Sequence, residues 1–153
     1  QVRILNDTGA LIDASGDDGF GAGAGGGGGG ILVLASAGDV INSGTLRARG
    51  GKGADAWNTG VGSVAGGGGG GGGIIHLLAP AITPGIMQVD GGAGGLDWYE
   101  SPMAMRVGGG GGGACGGNGG SGGNVSGNAS PDAGSPGTDG HTLQSELDPA
   151  PLF

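Results

Sequence analysis

The chain has 153 residues, of which 47 are glycine, and a formal net charge of −8. Two Trp, one Tyr and two Phe cannot build the packed core an enzyme needs to hold its side chains still, and the acidic balance disfavours nucleic-acid binding, which needs clustered Lys and Arg. Glycines in blocks rather than at every third place exclude collagen, and no apolar run approaches the ~18 residues of a membrane span.

The chain starts at Gln1 with no charged and apolar leader pattern, so a processed protein or a fragment is expected. Residues 1–8 form an arm. Its alternating segment Gln1-Val2-Arg3-Ile4-Leu5 has no strand of its own to pair with and is expected to add to an open sheet edge of a neighbouring subunit through Val2 and Ile4. From residue 9 to 123 one grammar occurs three times. Each unit opens with a short strand, of which the first two are Leu11-Ile12-Asp13-Ala14-Ser15 and Leu46-Arg47-Ala48-Arg49. Alternation there predicts one wet face. A Gly/Asp-rich turn and a variable loop follow, and then a glycine run. The runs begin at residues 25, 66 and 108, a phase that a random low-complexity chain would not keep. Ile31–Ala35 and Ile74–Ala79 follow the first two runs and are continuously apolar, which predicts strands covered on both faces. The third unit lacks that strand, so an unpaired place is expected beside residues 108–113.

Runs without Cβ atoms can adopt polyproline II geometry and approach one another closely. Their buried backbone groups must then find partners, so the three runs are expected side by side in one backbone-bonded layer. The fold class that follows is all-β with polyglycine II segments and no substantial α-helix: a three-unit β-solenoid-like or polyglycine-sandwich stack. Residues 124–153, rich in Ser, Pro, Gly and Asp, read as an irregular tail, with Leu152 and Phe153 as terminal anchors that clamp a subunit junction.

The chemistry-bearing residues are few. Arg47, Arg49 and Lys52 form the only basic cluster and read as a solvated strand end. Residues 50–58 fit one nonapeptide of the calcium β-roll type, which makes Asp55 the calcium candidate. The motif occurs once, whereas β-rolls share each ion between consecutive turns, so aspartates capping turn amides are the preferred reading for Asp13, Asp17, Asp18 and Asp55. His76 reads as a structural histidine, and Cys115 as a small residue in a tight place. Sequons begin at Asn6, Asn124 and Asn128. The loops of the second and third units carry Trp57, Trp98 and Tyr99 at equivalent points, either as contact residues or folded back to cap the glycine sheet. No catalytic residue, cofactor or bound metal is expected.

The strand-turn units and glycine runs over residues 9–124 resemble the glycine-rich repeat proteins of bacterial surfaces and phage virions. They are also similar to the polyglycine bundles of phage tail-fibre adhesins and springtail antifreeze proteins, though those carry shorter glycine motifs and, in the antifreeze case, several cysteines. The resemblance implies a non-enzymatic structural subunit of an extracellular, cell-surface or virion fibre. Its partners would be copies of itself or other fibre subunits, with a cell-surface receptor or glycan as an adhesin's target. The alternatives are an adhesin tip module and an ice-binding protein.

Overall fold

The computed structural model describes residues 3–57, 62–99, 105–106, 108–125 and 130–152. Among them it is nearly all β, with one 3-10 turn at Ala150–Leu152. The strands are β1 Arg3–Asn6, β2 Leu11–Asp13, β3 Ile31–Ala35, β4 Asp39–Asn42, β5 Thr45–Arg47, β6 Ser63–Val64, β7 Ile74–Ala79, β8 Ala81–Thr83, β9 Ile86–Gln88, β10 Met105–Arg106 and β11 His141–Glu146. They form three-stranded sheets β1-β4-β8, β2-β5-β9 and β3-β7-β11 and a small β6-β10 pair, every pairing parallel and none closed into a barrel.

Neighbouring strands in each large sheet come from successive repeats. Arg3 stands opposite Asp39 and Asp39 opposite Ala81; Leu11, Thr45 and Ile86 line up, as do Ile31, Ile74 and His141. The repeats therefore stack as three tiers: β1, β2 and β3, then β4, β5 and β7, then β8, β9 and β11. Inward-facing side chains alternate along each strand, as period two demands. The fully buried core is Val40, Leu46, Ala48, Ile75, Leu77 and Ala79, all from the middle tier, because only that tier is covered from both sides. Ile4, Ile12, Ala14, Leu32 and Leu34 from the first tier and Ile82, Met87 and Val89 from the third pack against it, half-buried.

Three expectations are corrected. The arm does not lack a partner in its own chain: Arg3–Asn6 pairs with Asp39–Asn42. Each unit contains a strand before the one the sequence reading started from, so Ile4 faces the core. The place in the third tier is not vacant either, because His141–Glu146, in the tail, pairs with the whole of β7. Finally, β3 is not covered on both faces. Ile31 and Val33 are about half exposed, at 55% and 52%, and only Leu32 and Leu34 turn inward.

An asparagine ladder fixes the corner between the first two sheets. Asn6 Nδ2 donates to Asn42 Oδ1 (2.8 Å), and Asn42 Nδ2 donates to the Pro84 and Ile86 carbonyls (2.6 and 3.1 Å). Both side chains are buried. Asn42→Ala strands a buried amide and two carbonyls, so a loss of roughly 2–4 kcal/mol is expected. Urea denaturation at unchanged m-value checks this.

Between its second and third sheets every tier sends out a glycine-rich excursion. Its backbone bonds recur at every third residue. In the run 66–73, Gly67, Gly70 and Gly73 donate to the carbonyls of Ala54, Gly51 and Ala48; Gly66, Gly69 and Gly72 donate to those of Asp132, Ser135 and Thr138; Gly68 and Gly71 donate to those of Gly109 and Gly112. Carbonyls of the same run accept from Gly26 and Gly29, from Gly92 and Gly95, and from Gly120 and Gly123. Six segments thus surround one. The three long runs do not lie in a single layer, because Gly112 also donates back to Gly26 and closes a triangle.

Candidate functional site

The excursions leave from the ends of β2, β5 and β9 and return into β3, β7 and β11, so their outer loops gather at the end remote from the tiers. Short contacts tie these loops together. Val64 and Trp98 exchange both backbone bonds at 2.9 Å, and Ala56 N–H donates to the Leu96 carbonyl (2.7 Å). Gly19 N–H donates to the Lys52 carbonyl and Ala54 N–H to that of Ala24, which brings in the first unit's loop. The apolar side chains here face outward: Phe20 is 99% exposed and Leu96 65%, while Trp57, Trp98 and Tyr99 lie between 42% and 56%. An open groove of about 330 Å³ runs beside Trp57, lined by Asp18, Gly19, Lys52, Ala54 and Asp55.

The Asp55 carboxylate already has two donors, Lys52 Nζ at 2.7 Å and the Leu96 amide at 2.8 Å. The lysine contact, then the amide, hold its pKa below the usual carboxylate value. Among the described residues no group of three His, Cys, Asp or Glu side chains could hold a metal ion. Asp13 accepts from the Ser15 amide and pairs with Arg47 at 3.4 Å; its pKa is lowered, chiefly by the Ser15 contact. Asp18 accepts from the Lys52 amide and Asp139 from that of Gly91.

The basic cluster runs along a trough of about 370 Å³ on the middle tier; the flanking tiers supply acids to Arg47 and Arg49, and the middle tier's own excursion supplies the partner of Lys52. Arg47 meets Asp13 on one side and Gln88 Oε1 on the other (3.0 Å), Arg49 meets Asp90 (3.2 Å) and Lys52 meets Asp55. All these pairs are substantially exposed, so each contributes little. Because the folded pKa of Asp13 and Asp55 lies below the unfolded value, their contribution is present above about pH 4 and disappears as pH falls through the folded value. Between pH 6 and pH 2.5 roughly 0.5 kcal/mol per pair is expected to be lost. In thermal melts, Arg47→Gln with Lys52→Gln should reduce that pH dependence.

Other candidates fall elsewhere. His76 Nε2 meets the Ser145 hydroxyl at 3.0 Å, in an outward column with Val33 and Leu143. Cys115 is not in a tight place; it is exposed, in the turn closed by Ala114 N–H on the Gly117 carbonyl. Asn6 is 5% exposed and committed to the corner ladder, which removes the first sequon from the surface. Leu152 closes the 3-10 turn, whereas Val2 and Phe153 lie outside the described residues. The sequence reading missed Phe20 and Leu96 as members of the loop cluster. Their signal is position, since both sit in the excursion loops beside the residues it did name. No helix among the described residues is long and apolar enough to cross a membrane. No family model, no curated protein and no solved structure matches the chain.

Proposed function

We propose that the chain is a non-enzymatic structural subunit standing at the end of an extracellular or virion-surface fibre, where its outer loops touch a cell-surface receptor or glycan. The observation that carries this reading is the gathering of Phe20, Trp57, Leu96, Trp98 and Tyr99, all exposed, at one end of a backbone-bonded scaffold. Large exposed aromatics grouped at one pole are typical anchors of a contact surface. In this reading the excursions are polyglycine II segments. The every-third-residue bonding supports that, since such a helix has three residues per turn and a rise of ~3.1 Å. The stacked tiers then form a short β-solenoid that anchors the bundle.

A self-assembling filament is the second reading, favoured by the outermost place that β1, β2 and β3 on one side and β8, β9 and β11 on the other hold in their sheets among the described residues. Sedimentation and negative-stain microscopy separate the two. A fibre-end subunit gives a discrete particle, and a filament gives long polymers. The loop surface is tested on glycan arrays and whole cells with Trp57→Ala, Trp98→Ala and Tyr99→Ala. Binding is expected to fall at least about tenfold while the melting temperature stays within a few degrees. Binding unchanged by all three substitutions would remove the loops from the reading.

A further inference from the structure

The outward face of sheet β2-β5-β9 continues onto the excursions, and the period of its side chains changes on the way. In the strand, exposed side chains recur at every second place, as at Leu11 and Asp13. Beyond it they recur at every third. Arg49, Lys52 and the partly exposed Asp55 do so in the middle tier, and Asp90, Ala93 and Leu96 in the third, while Gly51, Gly92 and Gly95 between them are buried. The tiers keep their register here: Gly50, Gly53 and Ala56 donate to the carbonyls of Asp90, Ala93 and Leu96, and Gly16 and Gly19 to those of Arg49 and Lys52. The side chains therefore stand in cross-rows, first Ser15, Arg49 and Asp90, then Asp18, Lys52 and Ala93, then Asp55 and Leu96. At ~3.1 Å per residue in the polyglycine II reading, successive rows lie about 9 Å apart. Trp57 follows the last row in the chain.

Two features distinguish this surface from a solvated patch of charge. Its polar groups are fixed by backbone amides and keep an atom uncommitted. Ser15 Oγ accepts from the Arg49 amide (3.1 Å) and Asp18 Oδ1 from the Lys52 amide (2.7 Å), which leaves the Ser15 hydroxyl proton and Asp18 Oδ2. Arg49 offers Nε to Asp90 (3.2 Å), and its two terminal nitrogens meet no acceptor among the described residues. Groups held in this way bind without first being ordered. The second feature is shape. Ala93 stands beside Lys52 with only a methyl group, and with Gly16, Gly50 and Gly92 it lines the trough of about 370 Å³. Asp18 and Lys52 line both this trough and the groove beside Trp57, so the two hollows form one run.

The lining selects the occupant. Asp13, Asp18, Asp55 and Asp90 outnumber Arg47, Arg49 and Lys52, which disfavours a polyanion. Another polyglycine segment would need bare backbone, and side chains stand at every third place. A sugar hydroxyl both donates and accepts, which suits a carboxylate held beside a guanidinium or an ammonium. The interval of about 9 Å between rows is close to the length of one disaccharide in an extended glycan chain. The indole of Trp57, 49% exposed, offers an apolar face to the C–H face of a pyranose ring. We propose that this run binds an uncharged linear glycan in extended form, its disaccharides in step with the cross-rows and one ring on Trp57. The segment from Arg49 to Trp57 spans roughly 25 Å, which accommodates about a hexasaccharide. The inference deepens the fibre-end reading and rests on it, naming the class of glycan and adding the flank of the excursions to their loops.

Titration calorimetry of the whole chain tests this, with neutral β-linked oligosaccharides of glucose, mannose and N-acetylglucosamine from disaccharide to hexasaccharide. At least one series is expected to bind, with affinity rising at least about tenfold from disaccharide to hexasaccharide. Two substitutions should remove most of that rise: Arg49→Ala, and Ala93→Leu, which fills the trough without touching an ion pair. Each should lower hexasaccharide affinity at least about fivefold and leave disaccharide affinity and the melting temperature unchanged. Should Arg49→Ala not fold, Ala93→Leu decides. Trp57→Ala should weaken every length. Absence of binding in all series, affinity independent of length, or a rise untouched by both substitutions overturns the trough. So does a preference for a sulfated chain that fades with added salt. The fibre-end reading fails separately, since Trp98 and Tyr99 are outside the trough. Cell binding that is lost in Trp98→Ala and Tyr99→Ala but indifferent to Arg49→Ala and Ala93→Leu leaves that reading standing without the trough.

Discussion

Gly70→Val is expected to leave the protein unfolded. Gly70 lies in the run that six other segments surround; its amide donates to the Gly51 carbonyl and its carbonyl accepts from Gly92. A Cβ there would run into the Gly27 carbonyl, which belongs to backbone and cannot swing aside. Relieving that clash means parting two segments that are bonded to each other and to third parties. The cost is therefore not a local overpacking of about 1–3 kcal/mol but the loss of several neighbouring bonds, each leaving buried backbone groups unpaired at about 1–3 kcal/mol, which together reach a total stability of about 5–15 kcal/mol. Gly113→Ala is the control. A Cβ at that place meets nothing within 4 Å, and the change removes conformational freedom from the unfolded chain, so a gain of up to about 1 kcal/mol is expected. Far-UV circular dichroism and thermal melts of the two variants check the pair. A folded Gly70→Val protein would mean that the run does not hold the closely bonded central position.

What could be read from the sequence follows from how strongly each segment is patterned. The glycine runs and the strands Ile31–Ala35 and Ile74–Ala79 were legible because phase and β-branched content mark them. The carboxylates were legible only in part: Asp13 caps the Ser15 amide in its own turn, as expected, whereas Asp18 and Asp55 accept from the Lys52 and Leu96 amides of the neighbouring tier, a long-range pairing that local turn chemistry does not signal. The first sheet was not. Its strands, Arg3–Asn6, Asp39–Asn42 and Ala81–Thr83, are three or four residues long, too short for periodicity to show. A common offset just before Gly9, Gly44 and Gly85 was the available clue. The loop cluster was half legible. Aromatic residues in loops can cap a scaffold or face outward, and the sequence pattern does not choose between the two; in the structure Trp57, Trp98 and Tyr99 are about half exposed.

The least legible element, β11, carries the second large effect. Ending the chain at Gly140 is expected to lower the melting temperature by about 6–20 °C and to cause aggregation. The sequence His141-Thr142-Leu143-Gln144-Ser145-Glu146 has no apolar alternation, and its strand state comes from outside. Gly140 and His141 are tied by their amides to the Val89 and Gly73 carbonyls, and that places the following residues against β7 from Ile74 to Ala79. Polar inward residues suit a terminal tier, which must cover the core on one side and meet water on the other. Without β11, the fully buried Ile75 and Leu77 lose that cover, at an expected cost of about 3–5 kcal/mol. A fall of about 2–4 °C per kcal/mol at this chain length gives the stated shift. The bare edge of β7 then offers an apolar template for intermolecular pairing. A chain ending at Leu147 keeps β11 and loses only the segment with the 3-10 turn, whose first residue, Ala150, is held by a local bond to Asp148. It should melt within about 2 °C of the full chain. Were residues 124–153 a dispensable arm, the two truncations would behave alike. Scanning calorimetry and light scattering on both distinguish an arm from the strand that closes the third tier.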